Sequence, residues 1–406
     1  MKNILVLGGG FAGVWSAASA VRAARESGVH ASELRVTLVS DGDDMVIRPR
    51  LYERDPAQMR VSLDRVLGPI GVERVGATVT GIDTSAQTVR AINGEGKTIT
   101  LPYQRLVLAT GSRALQPNLP GAKFLFDVDT IAAADTLERH LGKLADQPDR
   151  EGIFSAVVIG AGFTGLEVAT ELAGRLSEFP GAGLRRARVV LVDRSQTVGQ
   201  QLGDGPRPEI IAALDKLGVE VRLGTTVAEV TDSHVRLADG EVIAASTTVW
   251  TAGMSASPLT EQIPGERDRL GRLIVDEYLR VPAAPHVYAA GDTAAAVAED
   301  GHVVMQSCQH AVPLGKFAGY NAAADMLGLQ QAPFAPTPYV TCLDLGAAGA
   351  VATNGWDRAV LMTGEEAKVL KHQINAEWIY PPLDDAEAIL KYADYHQTWP
   401  TAENFV

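Results

Sequence analysis

Two triplets of glycine have a spacing that could do chemistry. Gly8, Gly10 and Gly13 stand in ILVLGGGFAG, and Gly160, Gly162 and Gly165 in AVVIGAGFTG. Each time an apolar run leads straight into G-x-G-F-x-G. Such a run reads as a buried parallel strand. The first glycine allows a tight turn, and the second lets the backbone approach a pyrophosphate. The third lets the following helix pack closely on the strand. The phosphates then rest on unpaired N–H groups at the positive end of that helix. Phe11 and Ala12 in one unit, Phe163 and Thr164 in the other, belong to these cradles. One such motif is weak evidence, because glycine turns are common. Two copies, each between a strand and a helix, are strong evidence. The first copy alone also imitates an export signal, with Lys2, an apolar run and Ala18-Ser19-Ala20. A signal has no reason to recur in mid-chain, whereas an enzyme holding two dinucleotides needs two cradles.

The next strand of each unit should end at the adenosine ribose, usually in an acid. In RVVLVDR that acid is Asp193. A carboxylate accepts the 2′-hydroxyl and repels a 2′-phosphate, which favours NADH. Arg194 beside it could accommodate the phosphate, which leaves NADPH open. In RVTLVSDGDD, Ser40 stands where the acid is expected and Asp41 follows. Either Asp41 takes over the ribose or that contact is weaker. Asp43 and Asp44 read equally well as a solvated acidic turn.

The totals bound the elements that must position these turns. A chain of 406 residues suggests two or three domains. Apolar content of 46% and charged content of 21% suit a globular chain with a real core. No run approaches the roughly 18 apolar residues of a membrane span. A net charge of −13 disfavours nucleic acid and anionic lipid as partners. The two cysteines, Cys308 and Cys342, form no C-x-x-C pair and no zinc spacing, so no metal is expected. Reduced thiols suggest a cytoplasmic protein.

A third signature separates the two sites. PHVYAAGD is a short strand ending in Gly291-Asp292. It resembles the second FAD fingerprint of the two-dinucleotide flavoproteins, the pyridine nucleotide-disulfide oxidoreductase superfamily. The resemblance places Asp292 on the FAD ribitol. LVLATGS (Ala109, Thr110, Gly111) and TVWTAG (Gly253) resemble the crossings where the chain leaves the FAD domain and returns. Arg48-Pro49 resembles a turn that touches FAD in ferredoxin-reductase-like members. The implied fold is α/β: two Rossmann-like dinucleotide-binding domains, the second inserted in the first, and a small α+β C-terminal region. The FAD domain would be 1–112 plus 252–325, the NAD(P)H domain 113–251 and the acceptor-side or interface region 326–406.

Within the superfamily, type II NADH dehydrogenases are the nearest pattern. The region after the first unit has no cysteine pair, so a dithiol relay is excluded. GAGFTGLEVATELA resembles their second fingerprint, and the resemblance implies a role for Glu167 in reducing the acceptor. Glu171, one helical turn on, reads better as a solvated carboxylate. QSCQHAVPLGK resembles the start of the helix under the flavin pyrimidine, with Gln309, His310 and Ala311 presenting N–H groups. His310 either adds a donor there or is merely a polar residue at a helix start. The family's later Gln-Gln is Pro313-Leu314 here, and the polar end YADYHQTWPTAENFV offers no lipid-facing stripe. The acceptor therefore stays open between a quinone and another conjugated small molecule. The strands PYVTCLDLG and GAVAT and a helix through 364–380 would shield the flavin or form a dimer interface. Lys371, Trp378 and Tyr380 are candidates to line that side, although each taken alone reads better as part of an amphipathic helix packed on the sheet. The expected activity is hydride transfer from NADH to FAD, then electrons to the acceptor. An oxygen-using oxidase or monooxygenase, and a redox sensor with little turnover, are the alternatives.

Overall fold

The first apolar run becomes β1 (Lys2–Leu7), buried over its last four residues. After the glycine turn comes α1 (Phe11–Glu26), with Gly10 at its N-cap. β2 (Leu34–Ser40) lies parallel to β1, in register from Lys2↔Leu34 to Leu7↔Val39. β3 (Glu73–Asp83), β4 (Thr88–Asn93) and β5 (Thr98–Pro102) form an antiparallel meander. β6 (Arg105–Leu108) then returns parallel to β1 on its other side. This computed structural model describes residues 2–29, 33–179, 186–298 and 300–397.

The second glycine unit repeats the plan as β7 (Ser155–Ile159), α2 (Phe163–Ser177) and β8 (Arg188–Asp193). With β9 (Val219–Leu223) and β10 (Thr247–Trp250) these make a parallel sheet in the order β9-β8-β7-β10. The chain then re-enters the first sheet as β11 (Ala284–Ala289), parallel to β6. The second sheet is thus interposed between two neighbouring strands of the first. The outgoing and returning segments, Ser112–Ala114 and Met254–Ala256, pair antiparallel.

α3 (Cys308–Leu327) crosses α1 at two glycines. A Cβ on Gly315 would lie 2.4 Å from the Ala12 carbonyl oxygen, and one on Gly319 2.0 Å from that of Ser16. Only glycine permits this backbone-to-backbone contact. It fixes the start of α3 beside the first glycine turn.

The C-terminal part holds an antiparallel sheet of β12 (Val340–Asp344), β13 (Ala350–Asn354) and β14 (Ala359–Thr363). α4 (Gly364–Gln373) packs on it, followed by a π-helical turn, Ile374–Trp378, and α5 (Ala386–Tyr392). β14 was not expected, because periodicity cannot type a short apolar run such as AVLM. The expected single helix through 364–380 is an α-helix only to Gln373. Tail residues 398–406, part of the polar end, lie outside the described residues. Among the described residues no helix is long and apolar enough to cross a membrane.

Candidate active site

The two glycine turns are geometric copies. Gly8 and Gly160 both have φ of +110°, a conformation costly for any residue with a Cβ. Each donates its N–H to the last apolar residue of the next strand, Val39 and Val192, at 2.8 Å. A Cβ on Gly13 would fall 1.8 Å from the Gly8 carbonyl oxygen, and one on Gly165 1.7 Å from that of Gly160. These third glycines serve helix packing and do not line the cleft. The middle glycines differ. A Cβ on Gly10 would meet nothing within 4 Å, and one on Gly162 only Gln201 Oε1 at 3.7 Å. The protein itself does not demand glycine there, so what needs the room is an approach from the cleft. Neither helix start has a side-chain cap, so its N–H groups are free for an anion.

Both turns open into one continuous cleft of ≈ 2280 Å³. An ordinary small-molecule pocket holds roughly 300–1,000 Å³, so this one has room for two large ligands. Its wall includes every sequence-predicted site residue except Gly13, Gly165, His310 and Tyr380.

In the first half, the residues fit FAD. Gly291, at φ +66°, brings the Gly-Asp turn against Ala12. Asp292 Oδ2 accepts from Ser112 Oγ at 2.7 Å. Burial pushes this carboxyl up, opposed by the Ser112 hydrogen bond and the Arg48 guanidinium. Arg48 Nη1 donates to Ser112 Oγ at 2.9 Å, while Nη2 is ion-paired with Asp129. The Arg-Pro turn is therefore tied to the crossing, with Arg48 and Pro49 both in the cleft wall. Thr110 Oγ1 is buried there without a hydrogen-bond partner, as expected of a group that meets a ligand. Asp41 is exposed in the wall at the end of β2. Ser40 packs against Gly9, where a Cβ would come within 2.7 Å of its Oγ.

In the second half, Asp193 reaches back to its own cradle. Its Oδ2 accepts from the Ala161 N–H at 2.6 Å and its Oδ1 from Ser195 at 2.7 Å. Arg194 is exposed beside it in the cleft wall.

At the far end, three distant segments converge. Glu167 Oε1 accepts from Lys371 Nζ at 2.9 Å and from the Asp344 N–H at 3.2 Å. The two side chains are only 11% and 10% exposed. Burial raises the Glu167 carboxyl, and Lys371 opposes that rise. Burial alone would lower Lys371, but Glu167, Cys342 and Asp344 outweigh it and hold the ammonium protonated. The Tyr52 hydroxyl donates to Asp344 Oδ2 at 3.1 Å, and Lys368 contacts Oδ1 of the same carboxylate. Ile374, Asn375, Trp378 and Ile379 complete the wall around the π turn. π turns often mark functional sites.

Several sequence readings change here. His310 is buried in a stack with Tyr339 (4.8 Å) and Trp356 (5.9 Å), outside the cleft wall. Burial, helped by Arg358 and Arg272, lowers its pKa to about 4, so it is neutral at pH 7. Gln309 lines the cleft, but its amide, correctly oriented, pairs with the Val340 backbone. Glu171 is half-buried instead of solvated, and burial raises its carboxyl. Tyr380 leaves the wall and accepts from Arg50 at 3.0 Å. Burial pushes the Cys308 and Cys342 thiols up to about 11 and 12, so neither is a thiolate. Tyr52, Asp129 and Asp344 were not expected from sequence. The only local signal was the Tyr that follows Arg48-Pro49-Arg50-Leu51.

Residues 2–315 match the family model described as pyridine nucleotide-disulphide oxidoreductase. The chain belongs to that family. Within it, the chain is 47% identical over 393 residues to an NADH dehydrogenase-like protein of Mycobacterium tuberculosis, covering 96% of this chain and 97% of that one. It is 29% identical to the demethylphylloquinone reductase of a Synechocystis strain, over 86% of each chain. Among solved structures, NDH2 of Plasmodium falciparum in complex with NADH superposes with a TM-score of 0.77 at 14% identity. That match spans 97% of this chain and 96% of the other, and shows a shared fold.

Proposed function

We propose that this family member transfers a hydride from NADH to FAD and passes the electrons to a quinone. That it is an FAD-dependent NADH oxidoreductase follows from its family and its NADH dehydrogenase-like relatives. The observation that carries the reading is the pair of matching glycine turns on one cleft, which ends at the buried Glu167–Lys371 pair. FAD occupies the β1–α1 cradle with the Gly291-Asp292 turn; NADH occupies the β7–α2 cradle. Residues 1–112 with 252–325 thus form the domain that holds FAD, and 113–251 the domain that holds NADH. FAD supplies a ring that accepts a hydride and releases electrons singly or in pairs. The chain supplies orientation, exclusion of water and proton-holding groups. A quinone is preferred as acceptor because the far end sets the apolar Trp378, Ile374 and Ile379 beside the polar Glu167, Lys371 and Tyr52, a wall suited to a flat ring with carbonyl oxygens, and because relatives are named as quinone reductases.

The test is stopped-flow mixing of FAD-loaded protein with NADH, then with a quinone. Flavin absorbance should bleach within seconds and return when 2-methyl-1,4-naphthoquinone is added. Persistent yellow colour after NADH refutes the dehydrogenase reading. Hydrogen peroxide formed in proportion to NADH, with no quinone reduced, refutes the acceptor.

A further inference from the structure

Reduction of a quinone to a quinol adds two electrons and two protons. A hydride from NADH brings two electrons and one proton. One further proton must come from water in each turnover, and it must reach the buried end of the cleft.

Glu167 and Lys371 hold a proton there but are largely shut off from solvent. Both side chains are about 10% exposed, and Lys371 Nζ is spent on Glu167 and the Cys342 carbonyl. A second chain of groups does reach solvent. Tyr52 is in the cleft wall. Its hydroxyl is bonded to Asp344 Oδ2 at 3.1 Å. The other oxygen of Asp344 contacts Lys368, whose side chain is 34% exposed. The Asp344 carboxylate, only 11% exposed, thus links the cleft phenol to the solvent-facing ammonium.

We propose that Tyr52, Asp344 and Lys368 form a proton relay from solvent to the acceptor. The inference rests on the quinone reading above. Tyr52 is the catalytic acid. As the electrons arrive, the hydroxyl turns from Asp344 to the acceptor, its O–H bond breaks and the proton forms the new O–H bond of the quinol. The Lys368 ammonium passes a proton through Asp344 to the phenolate and is itself reprotonated by water. No charge or atom is left over: NADH, quinone and one proton become NAD⁺ and quinol.

The surroundings favour a concerted transfer. Tyr52 is faced by Glu167 from α2, Asp344 from β12 and its neighbour Glu53, with Lys371 and Lys368 behind them on α4. Burial, then these carboxylates, raise the phenol well above its ordinary value. A free phenolate is therefore disfavoured, and proton loss to the acceptor has to be matched by proton gain from Asp344.

The experiment separates proton delivery from electron delivery. FAD-loaded protein is reduced with one equivalent of NADH, then mixed with 2-methyl-1,4-naphthoquinone or with ferricyanide, which takes electrons alone. Loss of a general acid lowers the rate by roughly 10²-fold, so Tyr52→Phe should slow the naphthoquinone step by that order. The ferricyanide step should stay within about twofold of wild type, since it needs no proton from a general acid. Lys368→Met should also slow the naphthoquinone step, and added imidazole, a small diffusible acid, should restore it. Independently of turnover, the ¹³Cζ resonance of Tyr52, assigned by its absence in Tyr52→Phe, should shift in oxidised Lys368→Met protein. Equal slowing with both acceptors, or no rescue by imidazole, overturns the relay. Wild-type protein that reduces ferricyanide but not the naphthoquinone overturns the quinone reading, and the relay with it.

Discussion

Replacing Lys371 by Met removes the cation in contact with the buried Glu167 carboxylate. Burial already raises this carboxyl, and the Lys371 ammonium is the strongest influence opposing that rise. Without it, Glu167 takes up a proton and stays neutral in the folded protein. In the unfolded chain the same group ionises near its ordinary value of about 4.3. Its raised folded-state value means stability is kept below about pH 4.3 and lost progressively as pH rises toward that folded value. Within that window the loss grows by about 1.4 kcal/mol for each pH unit. Removing one partner of a buried pair costs roughly 3–5 kcal/mol in all, which sets the scale of the effect. The assay is urea unfolding of the FAD-loaded protein, followed by tryptophan fluorescence at constant excess FAD, from pH 5 to 8. The gap between wild type and Lys371→Met should widen with pH. Adding Glu167→Gln should close most of it at pH 7.5, because the variant then has no acid to titrate. A gap that does not change with pH, or a double variant as unstable as the single one, would refute the reasoning.

Three further outcomes are expected. Arg194→Ala should lower kcat/KM for NADPH by roughly tenfold while leaving NADH within about twofold, because a phosphate–guanidinium contact contributes on the order of 1.5–3 kcal/mol. Equal loss for both donors would show that Arg194 does not meet the 2′-position. Gly165→Ala should destabilise the fold, since its Cβ would fall 1.7 Å from the Gly160 carbonyl oxygen. Gly162→Ala should fold normally, as shown by its Tm, yet raise KM for NADH. For His310, burial keeps the ring neutral down to about pH 4, whereas the unfolded chain binds its proton near 6.5. Native stability therefore rises with pH between about 4 and 6.5, and His310→Gln should flatten that slope in thermal melts.

The glycine turns were legible in the sequence because all their chemistry is local. Strand, turn and helix start lie within a dozen residues, and a repeat in the same chain exposes them. The Gly291-Asp292 turn was legible for the same reason. At the far end of the cleft Glu167, Lys371 and Trp378 could be named from the sequence, but how its side chains pair could not. Glu167 and Lys371 are 204 residues apart, and Tyr52 and Asp344 are 292 apart. No window of sequence contains both members of either pair. His310 sits at a helix start, as expected, but nothing nearby in sequence announces the Tyr339 and Trp356 rings that enclose it. Arg48 was read as a ligand to FAD, and its pairing with Asp129 depends on a crossing segment 81 residues downstream. The π turn at Ile374–Trp378 was hidden because those residues carry an ordinary helical pattern.

The two cradles share the same first-glycine dihedral and the same strand-end hydrogen bond. Phosphate recognition therefore cannot tell a permanently held nucleotide from a transient one. Residence time must be decided at the rims: one cradle is roofed by the Gly-Asp turn and α3, and the other is open at Arg194. Exchanging only the glycine loops between the halves should leave each nucleotide in its own place, whereas remodelling a roof should turn a prosthetic group into a cosubstrate.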